Sequence, residues 1–225
     1  MTERSYANVM TKEAAKLCIT SKANGSLMRI TPLGIWGHDL AAEQIANFAV
    51  RDTSLSHPNY SCGYAVACYS IAVATLINTG DYLKAFSNVR SWLDNQANLT
   101  KDPEQYKSWA EVSSWLYDAV DNADIPYFPQ AGFIKVAFTH AFRHLLLGSD
   151  YESAIAETLR GGGDTDTNAC IVGGLIGAVA GEKQIPEAMR NAVLNCDTRK
   201  GKHPRPSFLH PQQVPLLIES LLTKK

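Results

Sequence analysis

Apolar residues recur every three or four positions along most of the chain, which is the pattern of amphipathic helices. Leu83, Phe86 and Val89, for example, would share one helical face. No stretch shows the sustained alternation of apolar and polar residues that indicates a half-buried strand. We therefore predict an all-α protein with one domain over residues 1–225. The predicted helices cover residues 7–20, 39–50, 61–80, 81–95, 102–120, 131–148, 151–160, 169–180, 186–195 and 211–223.

Residues at several predicted helix ends are of the types that start or stop a helix. Asp39 and Asp102 are expected to cap free N–H groups of the helices that follow them, and Pro103 suits the first helical position. Gly80 and Gly148 are expected to end the helices before them, since glycine commonly follows the last helical residue.

The segment 169–180 is apolar on all sides, which predicts a buried helix. Glycine recurs every four residues there, at Gly173, Gly177 and Gly181. Because a glycine costs about 1 kcal/mol inside a helix, we expect this stripe to let another helix pack closely. Cys170 lies in the same run and is expected to be a small core residue.

The charged residues give a formal net charge of −1 and an isoelectric point near 6.6. Without a basic field, the chain is not expected to bind a nucleic-acid backbone or an anionic membrane. The longest apolar run is shorter than the roughly 20 residues of a membrane span. The five cysteines are odd in number and form no C-x-x-C pair, and the N-terminus has no signal-peptide core. We therefore expect a reducing, cytoplasmic location.

Residues 160–174, RGGGDTDTNACIVGG, place three glycines before two aspartates that lie two positions apart. One aspartate at the start of a buried helix is explained by capping and the helix dipole. Two carboxylates held close together repel each other unless a cation lies between them. Oxygen ligands suit Mg²⁺, Mn²⁺ or Ca²⁺, and the glycines would let the backbone turn tightly into such a site. On this chemistry alone, capping and metal binding by Asp164 and Asp166 stay open as alternatives.

Rival motifs fail at specific positions. A P-loop needs a lysine after the glycines, and none follows them. An EF-hand that starts at Asp164 would need Gly and Glu where Ala169 and Leu175 stand. His140 and His144 have the spacing of a zinc pair, but the residue after the first histidine is not the glutamate of a zincin. We expect an ordinary amphipathic helix there.

Residues 162–178, GGDTDTNACIVGGLIGA, resemble the C-terminal metal motif of the ADP-ribosylglycohydrolase family. Residues 24–37, NGSLMRITPLGIWG, are similar to a second family motif, a loop and helix that line the ADP-ribose pocket. Residues 54–74, with their Ser-His-Pro segment and following helix, resemble a third. The resemblance covers nearly the whole chain from about residue 23, and it implies an all-α fold, a compact orthogonal bundle of many helices.

The resemblance also implies an activity and a site. The family hydrolyses the C1″ bond between ADP-ribose and an acceptor at a two-magnesium centre, in which Mn²⁺ is an alternative. Asp164, Asp166 and Thr167 would be metal ligands. Partners would be an ADP-ribosylated protein or a small molecule that contains ADP-ribose. The residues that would bind substrate are Gly25, Ser26, Met28 and His57.

The family opens with a segment that ends in Thr-Asp-Asp or Ser-Asp-Asp, and this sequence contains neither tripeptide. That segment supplies the other half of the metal shell and an acidic residue near the scissile bond. We therefore expect a chain that is shorter than the family at its N-terminus, and we assign no catalytic residue. Either another chain supplies the missing segment, or the protein is a catalytically impaired relative that binds ADP-ribose or a protein partner.

Overall fold

The computed structural model describes residues 3–223, and it confirms the all-α prediction, since these residues contain no strand. The closest approach to a sheet is one isolated antiparallel bridge between Ala23 and Phe133. Eleven α-helices follow one another along the described residues. They are α1 (Glu3–Leu17), α2 (Thr31–Trp36), α3 (Ala42–Ser54), α4 (Tyr60–Thr79), α5 (Tyr82–Leu99), α6 (Pro103–Val120), α7 (Ile134–Leu147), α8 (Tyr151–Arg160), α9 (Thr165–Ala180), α10 (Glu187–Leu194) and α11 (Val214–Thr223).

Helix α4 forms the centre of the bundle. Every residue from Ser61 to Ala74 is buried, and the helix contacts α2, α3, α5, α6 and α9. Among the described helices, α4 is long and apolar enough to cross a membrane, but 83% of its most apolar window is buried inside the protein. Such burial is typical of a core helix. Small buried residues such as Ala65 and Ala72 let the neighbouring helices approach α4 closely.

Helix α9 packs against α7 and α8 on one side and against α4 on the other. A Cβ at Gly173 would lie 3.0 Å from Ile155 Cδ1 of α8, which supports the predicted close helix packing at this position. Gly174 is more crowded, since a Cβ there would lie 2.4 Å from the Tyr69 hydroxyl. Gly181 does not belong to the stripe, because it follows the last residue of α9 with a φ of 74°.

Most predicted helix ends are confirmed. Gly80 and Gly148 adopt left-handed conformations just after α4 and α7, and Asp102 accepts a hydrogen bond from Gln105 N at the start of α6. The prediction for Asp39 is wrong, because α3 begins three residues later. Its N-cap is Ala41, whose N–H donates to the Gln44 side chain at 3.1 Å.

Helix α2 has no counterpart among the helices predicted from apolar spacing. It has six residues, including Pro32 near its start and the buried Gly34. So short a helix shows no full apolar period, and only the resemblance of residues 24–37 to a loop and helix pointed to it. The helix contacts α4 and α9, which brings the loop before it beside the start of α9.

Candidate active site

The three glycines between α8 and α9 form a tight loop that lies on Tyr127. Gly162 and Gly163 have φ angles of 77° and 70°, which side chains other than glycine rarely adopt. A Cβ at Gly161 would lie 2.2 Å from the Tyr127 ring, and one at Gly163 would lie 2.7 Å from the Tyr127 carbonyl oxygen. The sequence-based prediction of a tight backbone turn into Asp164 is therefore confirmed.

Asp164 occupies the N-cap position of α9, but its side chain does not cap the helix. Its Oδ2 instead accepts a hydrogen bond from Asn24 Nδ2 at 2.9 Å. At four other described α-helices, the N-cap side chain accepts from a backbone N–H of its own helix in the usual way: Asn59, Asp81, Asp102 and Asp150. The Asp164 carboxylate is therefore not engaged in capping α9, and it is hydrogen-bonded to Asn24 instead.

Asp166 and Thr167 lie in the first turn of α9, directly after Asp164. The Asp166 side chain is exposed and Thr167 is half-buried. Thr167 is three residues from Asp164, so the two share one side of the helix start. Among the described residues, no group of three or more His, Cys, Asp or Glu side chains is arranged to hold a metal ion. Asp164, Asp166 and Thr167 offer the oxygen atoms that magnesium prefers, and the described residues bring no third His, Cys, Asp or Glu side chain to the two carboxylates.

The loop before α2 runs beside this helix start. Asn24 N donates to the Gly132 carbonyl at 3.0 Å, and Met28 N donates to the Asn24 carbonyl at 3.0 Å. Ser26 is fully buried, and its Oγ has no hydrogen-bond partner among the described residues. The predicted substrate-binding role of Ser26 stays a prediction, and the structure places its unpartnered hydroxyl in the interior. Met28, in contrast, is 47% exposed.

Cys170 links the two segments at the surface. Its Sγ lies 3.7 Å from the Met28 carbonyl oxygen, in the geometry of a weak hydrogen bond from the thiol. The side chain is exposed, so the prediction of a core cysteine is wrong. The physical reason is that Cys170, in the second turn of α9, lies at the surface beside the exposed Met28, whereas Ile171 and Val172 are buried in the core.

His57 lies against Gly25, so the structure brings together two of the residues that are predicted to bind substrate. A Cβ at Gly25 would lie 2.7 Å from His57 Cε1, so only glycine fits beside the ring. The ring Nδ1 is 2.9 Å from Ser56 Oγ, which accepts a hydrogen bond from Arg29 at 2.7 Å. Arg29 also forms an ion pair with Asp52 at 3.0 Å. Burial, together with the nearby Arg29 charge, lowers the pKa of His57, which favours the neutral imidazole.

A cavity of about 360 Å³ lies on the far side of His57, between α3, α4 and α5. Its wall includes Glu43, whose carboxylate accepts a hydrogen bond from Trp92 Nε1 at 2.8 Å. The acidic motif of α9 does not line this cavity. His57 therefore stands between two regions, with Gly25 on one side and the cavity on the other.

His140 and His144 both lie on α7, and each forms a hydrogen bond to a different neighbour. His140 Nε2 is 2.7 Å from the Ile125 carbonyl, and His144 Nδ1 is 3.0 Å from Ser149 Oγ. Burial lowers the pKa of His140 to about 4. The His140 ring stacks on Tyr127 at a centroid distance of 4.0 Å, so it supports the glycine loop from below.

Two residues of this arrangement were not singled out from the sequence, Asn24 and Tyr127. Asn24 begins the segment that resembles the family loop, and its position before Gly25 was the available signal. Tyr127 lies in an irregular stretch between α6 and α7 where no pattern indicates a partner. The structure brings together Asp164, Asp166 and Thr167 with the loop that carries Met28.

Comparison with known proteins agrees with this geometry. The protein-family model described as ADP-ribosylglycohydrolase matches residues 2–212. A protein of Acanthamoeba polyphaga mimivirus, named as an ADP-ribosyl glycohydrolase, is 32% identical over 203 residues. The match covers 83% of this chain and 58% of the viral protein, so the chain spans little more than half the length of that relative.

Proposed function

Because the chain belongs to the ADP-ribosylglycohydrolase family, we propose that it acts on ADP-ribosyl linkages and cleaves the C1″ bond between ADP-ribose and an acceptor. Water adds its oxygen to C1″, the bond from C1″ to the acceptor breaks, and the acceptor leaves with a proton. The transition state of such a cleavage resembles an oxocarbenium ion, as in other glycoside hydrolyses. The acceptor is either a protein side chain or a small molecule.

One observation carries the proposal. Two segments that resemble family motifs meet in the folded chain although they are 140 positions apart, since Asn24 Nδ2 lies 2.9 Å from Asp164 Oδ2. The carboxylate is thereby held away from its usual capping partners, although it stands at an N-cap position. An acidic side chain that is kept from a stabilising local bond is typical of a functional site.

Asp164, Asp166 and Thr167 would hold magnesium in this proposal. The fit rests on their chemistry, since all three offer oxygen atoms, and on the uncapped carboxylate of Asp164. A bound magnesium ion would supply Lewis-acid polarisation and orientation of the ribose hydroxyls and the water. Manganese has similar ligand preferences and would substitute for it.

The remaining site residues would bind and orient the substrate. Gly25 leaves room for the His57 ring beside the loop, because a side chain there would collide with the ring at 2.7 Å. Met28 is exposed beside Cys170 of α9, so its side chain is available to the sugar or the acceptor. A largely neutral His57 would offer a hydrogen bond to the ligand without repelling a metal ion.

A second candidate function is binding of ADP-ribose or of a protein partner without hydrolysis. The observation that favours it is the absence, among the described residues, of a third acidic, histidine or cysteine ligand at the site. A complementing chain that carries further acidic ligands would restore the shell and the reaction. We also propose a reducing, cytoplasmic location, because the sequence has an odd number of cysteines and no C-x-x-C pair.

The test is a pair of assays on the full chain. We expect calorimetry to show ADP-ribose binding that requires magnesium and disappears with a chelator, and we expect release of ADP-ribose from an ADP-ribosylated peptide. Residues that support a metal ligand typically change metal affinity or activity by about 10- to 100-fold. Because Asp166 would be a ligand itself, Asp166→Asn should reduce ADP-ribose binding and ADP-ribose release by more than that. The matched control is Asp150→Asn, at the start of α8, which should leave both unchanged.

Each other outcome selects a different conclusion. Binding that requires magnesium, without release of ADP-ribose, would support the second candidate and justify a search for the complementing chain. Binding that is equally strong in chelator would contradict the metal role. No binding and no hydrolysis would contradict both functions.

A further inference from the structure

We propose that Asn24 is a positioning residue, which turns the Asp164 carboxylate away from the helix N-terminus and holds it ready for a cation. This inference rests on the proposed function, in which Asp164 is a magnesium ligand. Asn24 touches neither the cation nor the substrate in this assignment. It acts through the orientation of Asp164 alone.

The direction of the hydrogen bond is set by its chemistry. A carboxylate can only accept, so Asn24 must present its amide N–H to Asp164 Oδ2, at 2.9 Å. The same Nδ2 group lies 3.4 Å from Asn168 Oδ1, one turn further along α9. The amide therefore has two acceptors that fix its orientation, and only one oxygen of Asp164 is engaged by it.

Asn24 is itself held in place by its surroundings. Its side chain is 6% exposed. Its backbone N–H donates to Gly132, and its carbonyl accepts from Met28, both at 3.0 Å. Two residues earlier, Lys22 Nζ forms an ion pair with Glu111 at 2.6 Å, which ties the segment to α6. The amide thus projects from a backbone that is anchored on both sides.

The local alternative for Asp164 is visible elsewhere in the chain. Asp81, Asp102 and Asp150 each accept from the N–H three residues later, at 3.0, 2.8 and 2.8 Å. The equivalent donor for Asp164 is Thr167 N. Without the Asn24 amide, the carboxylate is expected to turn to that donor, since side-chain capping is worth about 1 kcal/mol. Groups that orient a metal ligand typically change metal affinity by about 10- to 100-fold.

The experiment compares the parent chain with Asn24→Ala and with Asn24→Leu, which has a similar shape and no donor. We expect both variants to bind magnesium about 10- to 100-fold more weakly in calorimetry. In the metal-free protein, we also expect the Thr167 amide proton to shift downfield and to exchange more slowly, because it gains the Asp164 carboxylate. A crystal structure of the metal-free variant would show the same change directly.

Glu111→Gln is the matched control. It weakens the anchor of the same segment, including the bond from Ser61 Oγ to Glu111 at 2.6 Å, but leaves the Asn24 amide intact. We expect it to keep the parent's magnesium affinity and Thr167 signal, even where its melting temperature falls as far as that of the Asn24 variants.

Three results would decide against the inference or against its premise. If Asp164 keeps its orientation in the metal-free Asn24 variants, Asn24 does not position it. If Glu111→Gln loses as much magnesium affinity at equal stability, the effect comes from a loosened segment and the inference is overturned. If the parent binds no magnesium, the metal part of the proposed function fails, and the metal-free Thr167 signal still decides whether Asn24 orients Asp164.

Discussion

Asp150 and Asp164 stand at the N-cap positions of two successive helices, and their side chains do different things. Asp150 has the extended backbone of an ordinary N-cap, and its Oδ1 accepts from Ser153 N at 2.8 Å. Asp164 has a ψ of 65° and makes no capping bond, because its carboxylate goes to Asn24. An aspartate at the N-cap position therefore caps its own helix in α8, whereas in α9 it bonds to a distant residue.

The difference shows what a local signal can and cannot report. An aspartate before a helix gains about 1 kcal/mol by capping it. A residue that forgoes this bond must be held by a competing contact, and for Asp164 that contact comes from a residue 140 positions away. The hydrogen bond from Ser153 N also lowers the pKa of Asp150, which is the expected signature of a working cap.

The largest expected effect is that substitutions at the two aspartates change different properties of the protein. Asp164→Asn keeps an oxygen acceptor for Asn24 but removes the charge, so magnesium binding should fall by more than about 100-fold with little change in the free energy of unfolding. Asp150→Ala should lower the free energy of unfolding by about 1 kcal/mol and leave magnesium binding unchanged. Calorimetry and urea unfolding of both variants measure these quantities. If Asp164→Asn costs stability and spares magnesium binding, the Asp164 carboxylate serves the fold through its bond with Asn24 and is not a metal ligand.

The glycines before the two helices should also differ. Gly148→Ala places a side chain at a φ of 62° in open space, so the cost should be about 1–2 kcal/mol of left-handed strain. Gly163→Ala adds a contact of 2.7 Å with the Tyr127 carbonyl oxygen, a backbone atom that cannot easily move. That variant should cost a further 1–3 kcal/mol or so in urea unfolding and should weaken magnesium binding. Equal costs at the two positions would mean that Tyr127 does not constrain the loop.

Mild acid should lower amide protection in the glycine loop before α9 but not at the start of α8, and this effect should be smaller. Burial lowers the pKa of His140 to about 4, so its contribution to stability is complete above about pH 6.5 and is lost as the pH falls toward 4. His140 supports Tyr127 and the glycine loop, so amide protection at Gly161 should fall between pH 7 and pH 5. The lowered pKa of Asp150 keeps its carboxylate ionised in this range, and the protection of Ser153 should persist.

His140→Phe is the control for this pH effect, because its ring can stack on Tyr127 and cannot be protonated. The variant loses the contact with the Ile125 carbonyl and should be less stable at pH 7. Its stability should change less than the parent's between pH 7 and pH 5. A parent and a variant with the same pH dependence would show that another group is responsible.

The helices were predictable because their signals are local. The apolar spacing placed ten of the helices, and α8 has the predicted bounds, residues 151–160. Gly80, Gly148 and Asp102 act at helix ends through their own backbone or side chain, so nearby sequence was enough. The start of α3 was missed because Gln44, inside the helix, supplies its capping contact.

The site was less predictable, because its contacts join distant segments. The sequence left capping and metal binding by Asp164 equally open, since the bond from Asn24 cannot be inferred from spacing. The resemblance to the family assigned Gly25 and His57 to one substrate site, but no pattern in the sequence indicated that the two residues touch. The burial of Ser26 and the exposure of Cys170 follow from how α9 is rotated against the loop, and a single sequence does not report that rotation.

The bond between Asn24 and Asp164 has a consequence for the order in which the protein assembles. It joins residues 140 positions apart, so loop-closure entropy opposes it until intervening helices have collapsed. During synthesis, Asn24 leaves the ribosome long before Asp164, so the bond between them cannot form until Asp164 has emerged. The site is therefore among the last parts of the molecule to form, and occupancy of the site by a ligand would report completed folding more faithfully than helix content does.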